Sequence, residues 1–168
     1  MKSLAKEELQ RLLEVADSCD RLMILLAFNH GLRVSEVINL TAENFVDGHL
    51  VIQRLKGSKR TIQPLLANEA ALLAEHESAP DGRLFTMDRT TAWRHMRKLA
   101  AQVGIPAHRA HPHCLKHACA TVGLAGGMTL PEVQARLGHR SGSSTMVYLA
   151  VTEDAASKAF ESACVGLC

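Results

Sequence analysis

Apolar positions recur at helical spacing along most of the chain. Leu9, Leu12, Leu13 and Val15 mark one face of a helix that Ser3 can cap and that ends near Ser18. Arg21 to Phe28 is apolar almost all round, which predicts a buried helix stopped at Gly31. Ser35 can cap a short helix from Glu36 to Leu40, with Val37, Ile38 and Leu40 turned inward. The period then changes. His49 to Arg54 and Arg60 to Leu65 read as two strands joined by a turn at Lys56-Gly57-Ser58-Lys59. Helical spacing returns from Asn68 to Glu77, followed by a Ser-Ala-Pro-Asp-Gly loop at 78–82 and a short extended piece, Arg83-Leu84-Phe85. Thr90 or Thr91 caps a helix from Ala92 to about Val103, with Trp93, Met96, Leu99, Ala100 and Val103 as its core face. Gly104-Ile105-Pro106 breaks it. Pro112 suits the first turn of the next helix, which Gly126-Gly127 ends. Thr129 caps another through Leu137, closed by Gly138-His139, and a last helix begins at Thr152 or Glu153. The pattern predicts one mainly α domain with a small antiparallel β-sheet (α+β).

Length changes little in this picture, since 168 residues suffice for one domain with a proper core. There is no apolar run long enough to span a membrane, and the N-terminus turns acidic at once, unlike a signal peptide. The five cysteines match no zinc spacing and read as reduced thiols of a cytoplasmic protein. Charge adds more. The net charge of +2 is unevenly spread: residues 53–116 carry +6, against −3 before them and −1 after them. A basic middle suits a polyanionic partner, although a solvated arginine-rich surface has the same composition.

Candidate chemistry gathers at a few positions. Tyr148 is the only tyrosine and stands nine positions after the Leu137-Gly138-His139 turn. A phenol loses its proton only near pH ~10, so as a nucleophile it needs cations around its target and a group to take the proton. As an ordinary residue it would pack in the core with its hydroxyl on a partner. Arg33 sits in a turn between two buried helices, either paired with Glu36 or held out towards a ligand. The hairpin with Lys56, Lys59 and Arg60 is either an edge protected by its charges or a cationic finger laid in a groove. Arg89, Arg94, Arg97 and Lys98 lie largely off the core face of their helix, where they meet either solvent or DNA. His113 and His117 are one helical turn apart, with Lys116 beside them. Two such histidines suggest zinc, but the metalloprotease pattern needs a Glu directly after the first, and that residue is Cys114; no metal site is assigned.

Taken together, Gly-Leu-Arg-Val-Ser-Glu at 31–36, Lys-Gly-Ser-Lys at 56–59 with Pro64-Leu65, His-Cys-Leu-Lys-His at 113–117 with Ala-Thr at 120–121, Leu-Gly-His at 137–139 and Tyr148 resemble the tyrosine recombinases, also called the phage integrase family. The resemblance spans almost the whole chain and implies the catalytic-domain fold of that family. It implies that Arg33 binds the non-bridging oxygens of a scissile DNA phosphate, that Lys56 protonates the leaving 5′ oxygen, that His113 assists proton transfer, and that His139 hydrogen-bonds a phosphate oxygen. Tyr148 would attack phosphorus and form a 3′-phosphotyrosyl link. Lys116 would complete the catalytic set, with Glu36 and His117 orienting it. The implied partners are double-stranded DNA and further copies of the chain, four on the DNA, with no metal or nucleotide cofactor. The final helix, 153–163, would dock on a neighbouring protomer.

Two departures matter. The family usually has arginine where this chain has Lys116. The swap keeps the charge but loses the fork that holds two phosphate oxygens, and a lost transition-state donor can cost ~3 kcal/mol, about a hundredfold in rate. The chain also begins at the catalytic domain, so the N-terminal core-binding domain of the family is expected to be absent. The activity implied is site-specific breakage and rejoining of DNA. The alternatives are a type IB topoisomerase-like relaxation or a catalytically impaired DNA-binding regulator.

Overall fold

The computed structural model describes residues 3–54 and 59–139. Lys56 and the rest of the hairpin tip, the segment at 140–145, Tyr148 and the helix expected at 153–163 lie outside the described residues. The chain forms α1 (Lys6–Val15), α2 (Ser18–Asn29), α3 (Val34–Val37), β1 (Phe45–Val46), β2 (His49–Ile52), β3 (Thr61–Pro64), α4 (Ala67–Glu75), α5 (Arg89–Gln102), α6 (His113–Ala125) and α7 (Leu130–Leu137). The predicted hairpin is β2 and β3, paired antiparallel with Val51 opposite Ile62. Strand β1, only two residues long and without a periodic signal of its own, makes it a three-stranded sheet in the order β1-β2-β3. The short extended piece at Arg83 makes a single antiparallel bridge with Thr41.

Helix α2 is the centre of the core. Leu22, Ile24 and Leu26 are fully buried, and α6 packs against it, with Leu115 and Ala118 in the same buried cluster. Met96 of α5, Phe85 and Leu50 of β2 complete the main cluster. A smaller cluster of Cys119, Leu124, Val133 and Leu137 fastens α7 to α6. Cys19, Cys114 and Cys119 carry free thiols. Among the described residues, no helix is long and apolar enough to cross a membrane.

Three helix starts differ from expectation for one reason. The first N–H groups of a helix need an acceptor, and a carboxylate is a stronger one than a hydroxyl. Glu8 reaches back to the Ala5 N–H at 2.8 Å, so α1 starts after Ala5, while Ser3 instead hydrogen-bonds Thr121. Glu36 does the same for the Arg33 N–H at 2.8 Å, so α3 starts at Val34 and Ser35 lies inside it. Asp88, not Thr90 or Thr91, caps α5 by accepting the Thr91 N–H at 2.6 Å.

Trp93 is the other correction. It was expected in the core face of α5, yet it is 43 % exposed. Ala92 and Met96 take the inward direction, and the next residue along turns about 100° away.

Candidate active site

The site forms where the end of α2, the start of α3, the hairpin, the start of α6 and the end of α7 converge. Gly31 makes this possible. Its φ of +58° turns the chain from α2 towards α3, and a Cβ there would lie 2.4 Å from the Leu137 Cδ2 atom. Only glycine takes that backbone conformation freely while α7 packs so close.

Arg33 follows this turn. Its guanidinium donates to Glu36 Oε1 at 3.0 Å, yet its side chain keeps 28 % of its exposure. The pairing with Glu36 is thus present, and the side chain remains partly exposed. Glu36 is buried and also accepts from Arg54 Nη1 at 3.3 Å.

Arg54 is the residue that the sequence reading missed. Its side chain is fully buried. It donates to the carbonyls of Gly31 (2.9 Å), His30 (2.7 Å) and Arg136 (2.7 Å), and to the Thr61 hydroxyl (3.2 Å). A guanidinium with five N–H groups can serve this many acceptors at once. One side chain thus ties the corner carrying Arg33 to the turn carrying His139 and to the hairpin. The signal was present in the alternation of β2, where Leu50 and Ile52 are buried and position 54 continues the inward series. Burial of Arg54 lowers its pKa, and Glu36 opposes that shift.

A polar network backs this corner. Gln63 donates to the Arg136 carbonyl at 2.8 Å and meets His30 Nδ1 at 3.1 Å, while His30 Nε2 meets Glu69 at 3.1 Å. Burial pushes the Glu69 carboxyl up, but His30 and the N–H of Leu66 outweigh it and the net shift is downward. None of His30, Gln63 and Glu69 carried a local sequence signal of burial.

Lys116 is 4 % exposed, and its ammonium is held inside the corner rather than at its mouth. It donates to the Gly31 carbonyl at 2.9 Å and to the Leu137 carbonyl at 3.2 Å. Burial, with Arg54 and Arg33 nearby, pulls its pKa down to about 7. His113 is exposed at the first turn of α6 and stacks edge-on against His117, with ring centroids 4.7 Å apart. Partial burial of the rings lowers the pKa of both, helped at His113 by Lys116 and at His117 by His113.

His139 is half-buried after Gly138, whose φ of +68° closes α7. Burial, then Lys116, Arg33 and Arg54, bring its pKa down to about 4. At neutral pH this ring is uncharged and keeps one N–H to donate. The hairpin is latched to the same turn, because the Lys59 N–H donates to the Gly138 carbonyl at 3.0 Å. The described structure thus brings Arg33, Lys116, His113 and His139 into one cationic corner.

The other basic residues spread outward from it. Lys59 and Arg60 are exposed where the described hairpin resumes. Arg89 is exposed at the start of α5 and lines a cleft with His113. Arg97 lies over the Trp93 ring, 4.7 Å from its centroid. Arg94 donates to the Thr91 hydroxyl at 3.1 Å, one helical turn from the exposed Lys98. Among the described residues, no group of three or more His, Cys, Asp and Glu side chains is placed to hold a metal ion.

Comparisons of the chain with known proteins converge on one family. Residues 2–154 fit the pattern of the Phage integrase family. The tyrosine recombinase XerA of Pyrococcus furiosus is 37 % identical over 96 % of this chain and 62 % of its own length. The tyrosine recombinase XerD of Haemophilus ducreyi is 32 % identical over 90 % of this chain and 59 % of its own length. The chain therefore spans about three fifths of these curated relatives. The crystal structure of XerA recombinase superposes with a TM-score of 0.81 at 24 % identity, over 94 % of this chain and 65 % of that one. A pre-cleavage complex of XerH site-specific recombinase with its difH substrate gives 0.76 at 24 % identity, over 89 % and 50 %. Both share the fold described above.

Proposed function

The chain belongs to the phage integrase family, and on that footing we propose that it is a site-specific recombinase. It breaks and rejoins double-stranded DNA through a covalent 3′-phosphotyrosyl link on Tyr148. The observation that carries this reading is the gathering of Arg33, Lys116 and Arg54 beside His139, whose pKa burial first, and then these cations, bring down to about 4. Cations packed this closely repel one another, an arrangement worth keeping where an anion is to sit. The known XerH structure with its DNA substrate supports DNA as that anion.

In this reaction Arg33 holds the non-bridging oxygens with its partly exposed side chain, and His139 donates its single N–H to one of them. Tyr148 attacks phosphorus as its proton passes towards His113, whose lowered pKa leaves it free to accept. The bond from phosphorus to the 5′ oxygen breaks, and that oxygen takes a proton from Lys56. The link conserves the energy of the phosphodiester, so a second 5′ hydroxyl reverses the same steps. Lys116 supports the oxyanion from below, through charge and through the two carbonyls that it pins. Glu36 and His117 orient Arg33 and His113. Lys59, Arg60, Arg89, Arg94, Arg97 and Lys98 hold the flanking duplex, mostly by its phosphates, so binding falls steeply with salt.

The 168 residues act as a single catalytic domain, in the cytoplasm where DNA is at hand, with four copies assembling on the paired sites. A covalent-trapping assay tests the reading. A nicked duplex bearing the cognate site is incubated with the chain and with Tyr148→Phe, and the products are run on a denaturing gel. A shifted band that the phenylalanine variant lacks is expected. DNA retention with no such band would instead make the chain a binder, and Lys116→Arg would show whether lysine is the reason.

A further inference from the structure

Beside the cationic corner lies an open cleft of about 550 Å³ between α3, α5 and the entrance to α6. That volume falls within the ~300–1,000 Å³ of small-molecule sites. Its apolar walls are Val34, Trp93 and Pro112, and its polar edges are Arg89, His111 and His113. We propose that this cleft receives a single nucleobase, unstacked from the duplex next to the scissile phosphate, with Trp93 as its stacking platform. The inference rests on the reading of the neighbouring corner as a DNA phosphate site.

Three observations carry it. The first is position. Val34 follows Arg33 directly in the chain, and His113 belongs both to the cleft and to the cationic corner. A nucleotide whose phosphate sits on Arg33 therefore has the cleft lined by the next residue beside it. The second is the tryptophan itself. Trp93 is the largest of the exposed apolar side chains, at 43 % exposure, on a helix whose neighbouring positions already fill the core. Arg97 lies over the ring, and Trp93 is among the side chains that line the cleft. The third is chemical match. A base has two apolar faces and a polar rim, and the cleft offers apolar walls with imidazole and guanidinium donors at its edges. Stacking on an aromatic ring accepts any base, so the cleft adds affinity without sequence preference. It also stabilises a locally opened duplex, which strand exchange requires.

Trp93 is the only tryptophan in the chain, so its emission reports this cleft alone. The probes are two short duplexes, identical except that one carries 2-aminopurine opposite an abasic site, free to leave the stack, and the other carries it fully paired. End-label anisotropy at low salt measures binding of each, and emission is read from Trp93 and from the 2-aminopurine. The duplex with the unpaired base is expected to bind roughly tenfold more tightly and to quench Trp93. Trp93→Phe keeps most of that preference, and Trp93→Ala brings the ratio of the two affinities close to one. Equal binding of the two duplexes by the unaltered chain overturns the proposal. So does a preference that survives in Trp93→Ala, or binding that leaves Trp93 emission unchanged. Failure to bind either duplex would sink the phosphate-site reading along with it, which separates the two outcomes.

Discussion

Arg33 and Glu36 are joined twice: one carboxylate oxygen accepts the Arg33 backbone N–H and the other accepts its guanidinium. The two residues nevertheless answer to different demands. Arg33 stays partly exposed, whereas the Glu36 side chain is 1 % exposed and also neutralises Arg54. Arg33→Ala should change stability by no more than about 1 kcal/mol, as for a partly exposed pair. It should lower formation of the covalent DNA adduct by roughly a hundredfold or more. Glu36→Ala leaves a buried guanidinium without its counter-charge and should cost about 3–5 kcal/mol. Chemical denaturation and adduct trapping on the same two proteins read this split. Equal losses of stability in both variants would contradict it.

Arg54 should behave as a positioning residue. Arg54→Met withdraws donors from three backbone carbonyls and leaves Glu36 with one partner fewer. Removing one member of such a buried pair costs about 3–5 kcal/mol. Arg54→Lys restores the charge but offers at most three donors, so it should recover part of the stability and less of the cleavage rate. The second comparison is the informative one, because a purely structural role would return both together. Urea unfolding and single-turnover cleavage measure the two.

Lys116 gives the pH dependence a definite sign. Its pKa is about 7 in the folded chain against about 10.4 for a free lysine. Between these values the unfolded chain holds the proton and the folded one has lost it, so stability rises with pH through that window. The unfolding free energy, taken relative to Lys116→Met, should therefore climb from about pH 7 upwards and be flat below it. A bound phosphate favours the charged form, so cleavage should fall over the same range, and Lys116→Arg should abolish that fall. A flat difference in stability from pH 6 to 9 would remove the basis of both expectations.

Gly138 is a position where one added methyl group should be felt twice. Its φ is +68°, and a Cβ would stand 3.0 Å from both the Lys59 carbonyl oxygen and Arg54 Cγ. Gly138→Ala should cost about 1–3 kcal/mol from the backbone conformation alone. It should also loosen the latch between hairpin and turn, so cleavage should fall further than the stability change accounts for. Differential scanning calorimetry gives the first quantity and the trapping assay the second.

Much of this fold was legible because hydrophobic periodicity is written locally. The buried helix around Leu22 to Ala27 and the hairpin at Val51 and Ile62 follow from spacing alone. Helix starts were read less well, since Glu8, Glu36 and Asp88 act from within or just before the first turn and compete with nearby hydroxyls. The cluster of Arg33, His113, Lys116 and His139 was named from motif order, which says that residues meet but not which of them are buried. That Lys116 points at two carbonyls, and that Arg54, Gln63 and His30 support it, depends on contacts between segments far apart in the chain. Strand β3 shows why these are hard to see: Gln63 is buried and Ile62 is 58 % exposed, the reverse of what polarity suggests. A polar residue turns inward there because other elements bring acceptors to it.

The separation of these partners along the chain also bears on when the cationic corner is completed. Lys116 and its Gly31 acceptor are 85 positions apart, and Arg54 and its Arg136 acceptor are 82 apart. A ribosome that has just finished α6 has made Arg33, His113 and Lys116, but not the oxygens of Arg136 and Leu137 that hold the corner shut. A prematurely terminated chain of that length carries most of the charged residues but lacks the α7 acceptors that Arg54 and Lys116 use. Translation thus keeps the site unassembled until α7 has been made.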